Sequence, residues 1–354
     1  MQSIIVAPSL DSSRNVSGVS AVTTFIIANN ESCDYIHFLQ GKSDDEKGGL
    51  HRVSRILKTY KAWKRMLREH HGAIVHYNFP LDAFSIIRDY PFMRKSVKSG
   101  RHTIIHLHGG LFLFKDKKPF LLNMLLKKVF SWDARFIVLS EKEKQRLKDD
   151  YNPEEVYVLP NCIDLSIASK FQRTDNPDSM HILYLGRIEP NKGMDYMLEA
   201  ARKMKEKGEQ FVLHFAGIEQ KGCNYIDRFQ TQLGDQFIYE GVVSGEKKDC
   251  LLQLCDVFLL PSFYEGLPMS LLECMSFGMV PVTTNVGSIS DFVKDGETGL
   301  FIQLRDADGI VDAISRLAND IQLRKSISAN AKDIIFRKLQ PKEYVRKLND
   351  IYSR

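Results

Sequence analysis

Glu265 and Glu273 stand eight residues apart in the segment PSFYEGLPMSLLE, residues 261–273, and their setting gives them separate chemical tasks. Residues 257–278 read as strand, loop and helix: VFLLP, then SFYEG, then LPMSLLECMSFG. Pro268 suits the first turn of that helix and Gly278 its C-terminal stop. Open α/β sheets bind ligands outside the carboxyl ends of their strands, where helix N-terminal amides favour phosphate. A carboxylate there would repel phosphate, so Glu265 suits hydrogen bonds accepted from sugar hydroxyls beside a diphosphate. Glu273 lies about five residues into the helix, roughly 7 to 8 Å along its axis at about 1.5 Å per residue. One glutamate could then reach a sugar and the other a ribose of the same ligand. Two unrelated surface glutamates would show this spacing by chance.

Positive charge for such a ligand comes from ILYLGRIEPNKGMDYMLEAARKM, again strand, loop and helix, with Gly186 ending the strand. Arg187 and Lys192 bracket a short loop containing Pro190. Arg can bind a diphosphate bidentately and Lys acts as a point charge, so the two form a clamp able to stabilise charge on a leaving nucleoside diphosphate. Solvated loop cations are the alternative. The apolar strand of TIIHLHGGLF ends in His106, His108, Gly109 and Gly110. The two histidines share a face, but a zinc site needs a third protein ligand and none is evident, so no metal is expected. His108 is placed at the strand tip facing an interdomain cleft; a core histidine is the alternative. Gly18, in the first βα turn, would let backbone amides approach a phosphate, as an ordinary turn also could.

These loops need parallel strands behind them. Short β-branched or aromatic runs alternate with amphipathic stretches of 10 or more residues, the pattern of βαβ units. Strands are predicted at 3–7, 35–39, 73–77, 103–107, 136–139 and 156–159, then at 181–185, 211–216, 237–239, 257–260, 280–283 and 300–302. Helices at 307–318, 323–338 and 342–352 close the chain. Residues 164–179 read as a linker, which divides the chain into domains 1–169 and 170–339, consistent with two domains in 354 residues.

The six cysteines form no CxxC pair and no zinc spacing, so free thiols are expected. MQSIIVAPSL reads as a first strand and not a signal peptide, which places the protein in the cytoplasm. Residues 1–165 carry 25 Lys and Arg against 18 Asp and Glu, a net of +7 in a chain of net +5, so an anionic partner would be held by the first half.

In this order, the segments resemble the retaining glycosyltransferases of family 4, whose GT-B fold sets two Rossmann-like domains across a cleft. The family's E-x(7)-E motif matches Glu265 to Glu273, and its glycine-arginine…lysine donor loop matches Gly186, Arg187 and Lys192. NVGSISDFVKDGETGLFI resembles the stretch that follows, PNCID (160–164) the end of the first domain, and YEGVVSGEKKDCL the region whose backbone at Val242 and Val243 holds the base. The resemblance implies that Arg187 and Lys192 bind the diphosphate, Glu265 with the backbone of Gly266 and Leu267 the donor sugar, and Glu273 the ribose. His108 would touch the sugar near its anomeric centre. Transfer would retain anomeric configuration without metal or cofactor, the nucleotide-diphosphate-sugar being a substrate. Cys162 replaces the family's usual glycine, and Ser17-Gly18 stands where many members have paired glycines, which weakens the role given to Gly18. In this fold the last helix, about 340–354, commonly packs back on the first domain.

Residues 51–72 carry Arg52, Arg55, Lys58, Lys61, Lys64, Arg65 and Arg68, with Val53, Ile56, Leu57, Tyr60, Trp63, Met66 and Leu67 on one helical face. Such a basic amphipathic helix can pack on a sheet, rest on anionic lipid, or do both. The expected partners are a nucleotide-sugar, a glycan or lipid-linked acceptor and an anionic membrane surface at its inner face, with no nucleic acid. A nucleotide-sugar epimerase, a sugar phosphorylase and a non-catalytic sugar-nucleotide binder are the alternatives that share this architecture.

Overall fold

The computed structural model describes residues 1–11, 15, 17–41, 50–109, 111–115, 117–173 and 179–354. Gly110 and the 174–178 part of the linker lie outside them, as do the side chains of Arg52 and Val53. The chain forms two compact units: Met1–Cys162 with Pro341–Arg354, and Ile163–Gln340. The division precedes residue 170 because the segment after Ile163 is tied to the second unit. Arg173 donates to the carbonyls of Leu252 at 2.8 Å and Phe277 at 3.2 Å, and the rings of Phe171 and Phe277 lie 5.7 Å apart.

The first unit runs β1 (Gln2–Ala7), α1 (Gly18–Asn29), β2 (Asp34–Leu39), α2 (Leu50–Glu69), β3 (Ile74–Phe79), α3 (Ala83–Val97), β4 (Thr103–Leu107), α4 (Leu111–Phe114), α5 (Phe120–Phe130), β5 (Arg135–Val138), α6 (Glu141–Tyr151) and β6 (Glu155–Val158). Its six strands are parallel in the order β2-β1-β3-β4-β5-β6. Strands covered on both faces read as unbroken apolar runs, and every residue of β4, TIIHL, is buried.

The second unit runs β7 (Met180–Leu185), α7 (Met194–Glu206), β8 (Phe211–Ala216), α8 (Tyr225–Leu233), β9 (Phe237–Gly241), α9 (Gly245–Leu254), β10 (Val257–Leu260), α10 (Met269–Ser276), β11 (Val280–Thr284), β12 (Leu300–Ile302), α11 (Ala307–Asn319) and α12 (Ile321–Lys338). Its parallel order is β12-β11-β10-β7-β8-β9. The chain steps from β7 outward to β8 and β9, then returns to place β10 on β7's other side. The loops after β7 and β10 therefore part from neighbouring strands toward opposite sides, which opens a crevice at the carboxyl ends of the sheet. No helix among the described residues is long and apolar enough to cross a membrane.

α2 packs its apolar face on the first sheet. Trp63 and Leu67 are buried, Ile56, Tyr60 and Met66 pack beside them, and the Trp63 indole donates to the Phe92 carbonyl at 3.1 Å. Leu57 does not share that face as its spacing suggested: at about 100° per residue it follows Ile56 round to the flank and stays 60% exposed.

The last helix, α13 (Pro341–Ser353), belongs to the first unit. It buries Tyr344, Leu348, Ile351 and Tyr352. Asn349 exchanges side-chain hydrogen bonds with Asn30 at 2.8 and 3.1 Å, and the Tyr352 hydroxyl meets Nδ1 of the buried His76 at 2.5 Å. Burial lowers the pKa of His76 from 6.5 to about 3. In the window between those values the unfolded chain binds a proton that the native imidazole refuses, so stability is complete above pH 6.5 and declines as pH falls toward 3. The slope is at most about 1.4 kcal/mol per pH unit for each such histidine. Both tryptophans, Trp63 and Trp132, lie in this unit and report its unfolding. Urea unfolding read by their fluorescence should show stability falling less steeply between pH 6.5 and 5 in His76→Gln than in the parent. Equal slopes would remove His76 from the account.

Candidate functional site

The loops at the β7/β10 crevice are pressed together by their backbones. Pro190–Lys192 forms a single 3-10 turn, and Gly193 follows with φ +77°. A Cβ on Gly193 would stand 2.2 Å from the Pro261 carbonyl oxygen, and Phe263 donates its amide to the Asn191 carbonyl at 2.9 Å. Gly186 leaves β7 with its amide on the Ala216 carbonyl at 2.9 Å. The Arg187 carbonyl accepts from the hydroxyl of buried Tyr184, whose pKa burial raises well above 10, with Glu265 and Glu189 adding to the rise.

This scaffold sets Lys192 Nζ 2.7 Å from Glu265 Oε1, the side chains 20% and 12% exposed. Sequence reasoning gave Lys192 to a phosphate and Glu265 to hydroxyls; in the structure the two hold each other. Glu265 and Gly266 are propped from behind by the loop after β11. A Cβ on Gly287, whose φ is +58°, would meet the Glu265 oxygen at 2.1 Å, and Ser288 donates to the Gly266 carbonyl at 2.9 Å. Leu267 is 4% exposed, so its backbone is what it can offer a ligand.

Glu273 is the fifth residue of α10; Pro268 stands one place outside that helix as its N-cap and not within its first turn. Its Oε1 lies 2.9 Å from Nζ of Lys248 on α9, a partner that sequence reasoning missed. Burial, the largest single influence, would lower the Lys248 pKa, but the Glu273 carboxylate, aided by Asp249 and Cys274, makes the net shift upward. The signal was in GEKKDCLL, where Lys248 sits four residues into a helix, but two adjacent lysines did not say which one faces α10. Val242 and Val243 form the turn between β9 and α9, Val242 being 42% exposed.

In the first unit, Gly18 takes the first position of α1, behind an N-cap Ser17 that accepts from the Ser20 amide at 3.3 Å. His108 follows β4, its amide on the Phe79 carbonyl at 2.9 Å. Its Nε2 lies 2.6 Å from Asn78 Oδ1. Asn78 donates its amide nitrogen to the Val6 carbonyl at 2.9 Å, which turns its oxygen toward His108. His108 therefore carries its proton on Nε2 and presents Nδ1 as an acceptor. Burial, reinforced by His76, lowers its pKa to about 3 and keeps the ring neutral. His106 lies behind it with ring centroids 4.1 Å apart and bonds His76 at 3.1 Å, in a row that ends on Tyr352.

A cavity of about 500 Å³ lined by Arg173, Asp256, Gly278, Arg324, Ser328 and Lys332 opens at the other end of the second sheet, where β10 and β11 begin. Arg173 and Lys332 are committed there to backbone carbonyls, including Leu252, Phe277 and Phe171. It is not where the site residues converge.

Residues 167–334 match the family model described as Glycosyl transferases group 1, and residues 43–167 match that of Glycosyltransferase Family 4. The chain is 25% identical over 289 residues to an alpha-D-kanosaminyltransferase of Streptomyces kanamyceticus, covering 76% of this chain and 74% of the relative. It is 26% identical over 280 residues to the UDP-Gal:alpha-D-GlcNAc-diphosphoundecaprenol alpha-1,3-galactosyltransferase of Escherichia coli, covering 72% and 70%. The fold resembles that of HepE from Anabaena, solved with UDP and glucose, at a TM-score of 0.76 and 14% identity over 100% of this chain and 99% of that one.

Replacing Gly193 by Ala should reduce stability by about 2 kcal/mol or more, since backbone strain adds to the clash with Pro261. Gly208→Ala shares the left-handed φ, +75°, with nothing within 4 Å, and should lose only about 1 kcal/mol. Calorimetry showing equal losses would mean that the two loops do not need their close approach. In nitrogen-15 spectra of labelled histidine, His108 should be the Nε2-protonated tautomer, and Asn78→Leu should abolish that preference. An Nδ1-protonated His108 would contradict the assignment.

Proposed function

Because the chain belongs to the glycosyltransferases described by the group 1 and family 4 models, we propose that it is a retaining, metal-independent hexosyltransferase (EC 2.4) moving a sugar from a nucleoside-diphosphate-sugar to a glycan or lipid-linked acceptor. Its place is cell-surface polysaccharide or glycolipid synthesis on the cytoplasmic side of a membrane. The observation that carries this reading is the Lys192–Glu265 pair, set beside Arg187 on two loops whose backbones are locked at the strand-order reversal. UDP in the HepE complex and the lipid diphosphate named for the Escherichia coli relative support the donor and acceptor classes.

The chemistry follows from charge. The bond between the anomeric carbon and the β-phosphate oxygen breaks, its electron pair leaving with the nucleoside diphosphate. The acceptor oxygen forms its bond to that carbon from the same face, and its proton passes to the departing phosphate. Arg187 and Lys192 carry the charge that develops on the leaving group, which is where preorganised electrostatics acts most strongly. To reach the diphosphate, Lys192 turns from Glu265, and Glu265 is then released to accept from sugar hydroxyls. Binding therefore switches both residues at once. Glu273, oriented by Lys248, suits the ribose, and the Val242–Val243 turn the base. His108 offers its Nδ1 acceptor to a sugar hydroxyl. The exposed basic face of α2 supports work at an anionic membrane surface.

A panel of UDP-, GDP- and ADP-sugars should contain one that raises the melting temperature, since a ligand that binds only the folded state stabilises it. With that donor, Lys192→Ala should lower turnover by about 10²- to 10³-fold. Glu265→Gln should lower turnover while leaving affinity for the free nucleoside diphosphate equal or tighter, because Lys192 no longer has a competing carboxylate. Unchanged turnover in Lys192→Ala would overturn the mechanism, and a product of inverted anomeric configuration would overturn retention.

A further inference from the structure

The cavity of about 500 Å³ at the strand-start end of the second sheet lies wholly within the second unit, and its charge departs from that of its surroundings. Residues 166–354 carry 24 Lys and Arg against 26 Asp and Glu, yet the lining gathers Arg173, Arg324, Lys325 and Lys332 around one carboxylate, Asp256. That carboxylate is 6% exposed and already engaged. It accepts from the His181 amide at 3.1 Å and lies 3.9 Å from the Arg173 guanidinium. Arg324 and Lys332 form no ion pair with any described residue.

α12 places these two cations. Arg324, Ser328 and Lys332 recur every four residues, which sets them in one stripe along the helix. Gly278 lets the loop after α10 close on that stripe: a Cβ there would stand 3.0 Å from Ser328 Oγ and 3.9 Å from Arg173 Nε. The Ser328 hydroxyl donates to the Gly278 carbonyl at 2.5 Å. Both cations keep donors for a ligand. Arg324 gives Nη1 to the Leu317 carbonyl at 3.2 Å, and its Nε and Nη2 bond no described residue. Lys332 directs one of its three N–H groups to the Phe171 carbonyl. Burial, reinforced by the Arg173 guanidinium, lowers the Lys332 pKa, and no described carboxylate counters them. Cations with N–H groups to give, around a recess too positive for its own side chains to balance, suit a phosphate.

We propose that this cavity binds the phosphate group of a small phosphate monoester, at a site separate from that of the donor. Arg324 offers Nε and Nη2 as a fork and Lys332 acts as a point charge. Asp256 and Pro261 are separated by the length of β10, roughly 16 Å at about 3.3 Å per residue, so the Lys192–Glu265 pair belongs to the sheet's opposite end. The rest of the ester also has a place. An adjoining cavity of about 410 Å³ shares Ala329 and Lys332 and adds Phe336, an apolar surface next to the phosphate.

The test is isothermal titration of the full chain carrying Arg187→Ala and Lys192→Ala, which removes the proposed donor clamp, with inorganic phosphate and with phenyl phosphate. Phenyl phosphate should bind at one site per chain, more tightly than inorganic phosphate, and the two should compete. Adding Arg324→Gln with Lys332→Gln should weaken binding about tenfold or more, since hydrogen bonds to a charged group are lost. Ala329→Glu sets a carboxylate at an exposed position of the lining and should do the same without changing the melting temperature of the free protein, glutamate being a good helix former. Ala329→Gln should bind normally. No saturable binding without Arg187 and Lys192 would assign the phosphate to the donor loops and overturn the proposal, as would binding that survives both Ala329→Glu and the double glutamine variant. Equal affinity for the two ligands would overturn the monoester and leave inorganic phosphate as the occupant. None of these outcomes bears on which nucleotide-sugar stabilises the parent.

Discussion

Everything proposed for the second unit depends on two loops meeting so closely that no side chain fits between them. Parallel strands deliver the loops after β7 and β10 to one end of the sheet, and the reversal in strand order makes them neighbours. Gly193 against Pro261 and Gly287 against Glu265 then fix their backbones at distances that exclude a Cβ. Only on that platform can Lys192 and Glu265 stand 2.7 Å apart while remaining part-exposed. A pair of this kind adds little to stability, because partial exposure screens it and its desolvation opposes it. Its value is electrostatic readiness. The carboxylate holds the lysine in place, and a ligand would need more negative charge than one carboxylate to draw it away.

The first unit is stiffened differently. Its strand-tip histidine is positioned by a neighbouring strand's amide, Asn78, and the histidines behind it are closed off by α13 through Tyr352. This is a polar row inside an apolar sheet, and it is stable because each member stays neutral and most of its nitrogens are matched. His106 Nε2 is the exception, a buried nitrogen without a hydrogen-bond partner. The two units thus hold their key groups by opposite means, one by backbone proximity and the other by side-chain register.

That difference explains what could be read from the chain. Strands such as 103–107 and 257–260 were legible because burial on both faces demands unbroken β-branched and aromatic runs, and their limits agree with the structure. Ends elsewhere moved by a residue or two, as hydrogen bonding and not hydropathy sets them. Arg187, Lys192, Glu265 and Glu273 were legible as types at strand ends. Their pairing was not: the Lys192–Glu265 contact joins residues far apart in sequence, and Lys248 could be chosen over Lys247 only once α9 had a rotation about its axis. Asn78 was hidden for the same reason, since the β3/β4 register that sets Asn78 beside His106 is a property of the sheet. Among the described side chains, the apolar face drawn for α2 failed only at Leu57, whose angle places it on the boundary between packing and solvent.

A backbone constraint leaves a narrow signature in sequence. Where a Cβ cannot fit, glycine is demanded at one position, and a family resemblance can be recognised from a few such positions with the charged residues they support. The loops after β7 and β11 are of this kind, holding Gly193 and Gly287, and both lie within residues 167–334, which match one family model. A surface that meets a bilayer or a varied acceptor is under a looser demand, since many arrangements of lysine, phenylalanine and leucine give the same charge and apolar area. In residues 50–130, seventeen Lys and Arg against four Asp and Glu are plain in composition, but which apolar groups remain outside depends on how α2, α3 and α5 rotate as they pack. Tight backbone contacts are therefore written in positions and exposed surfaces in areas, and only the first can be read before the chain is folded.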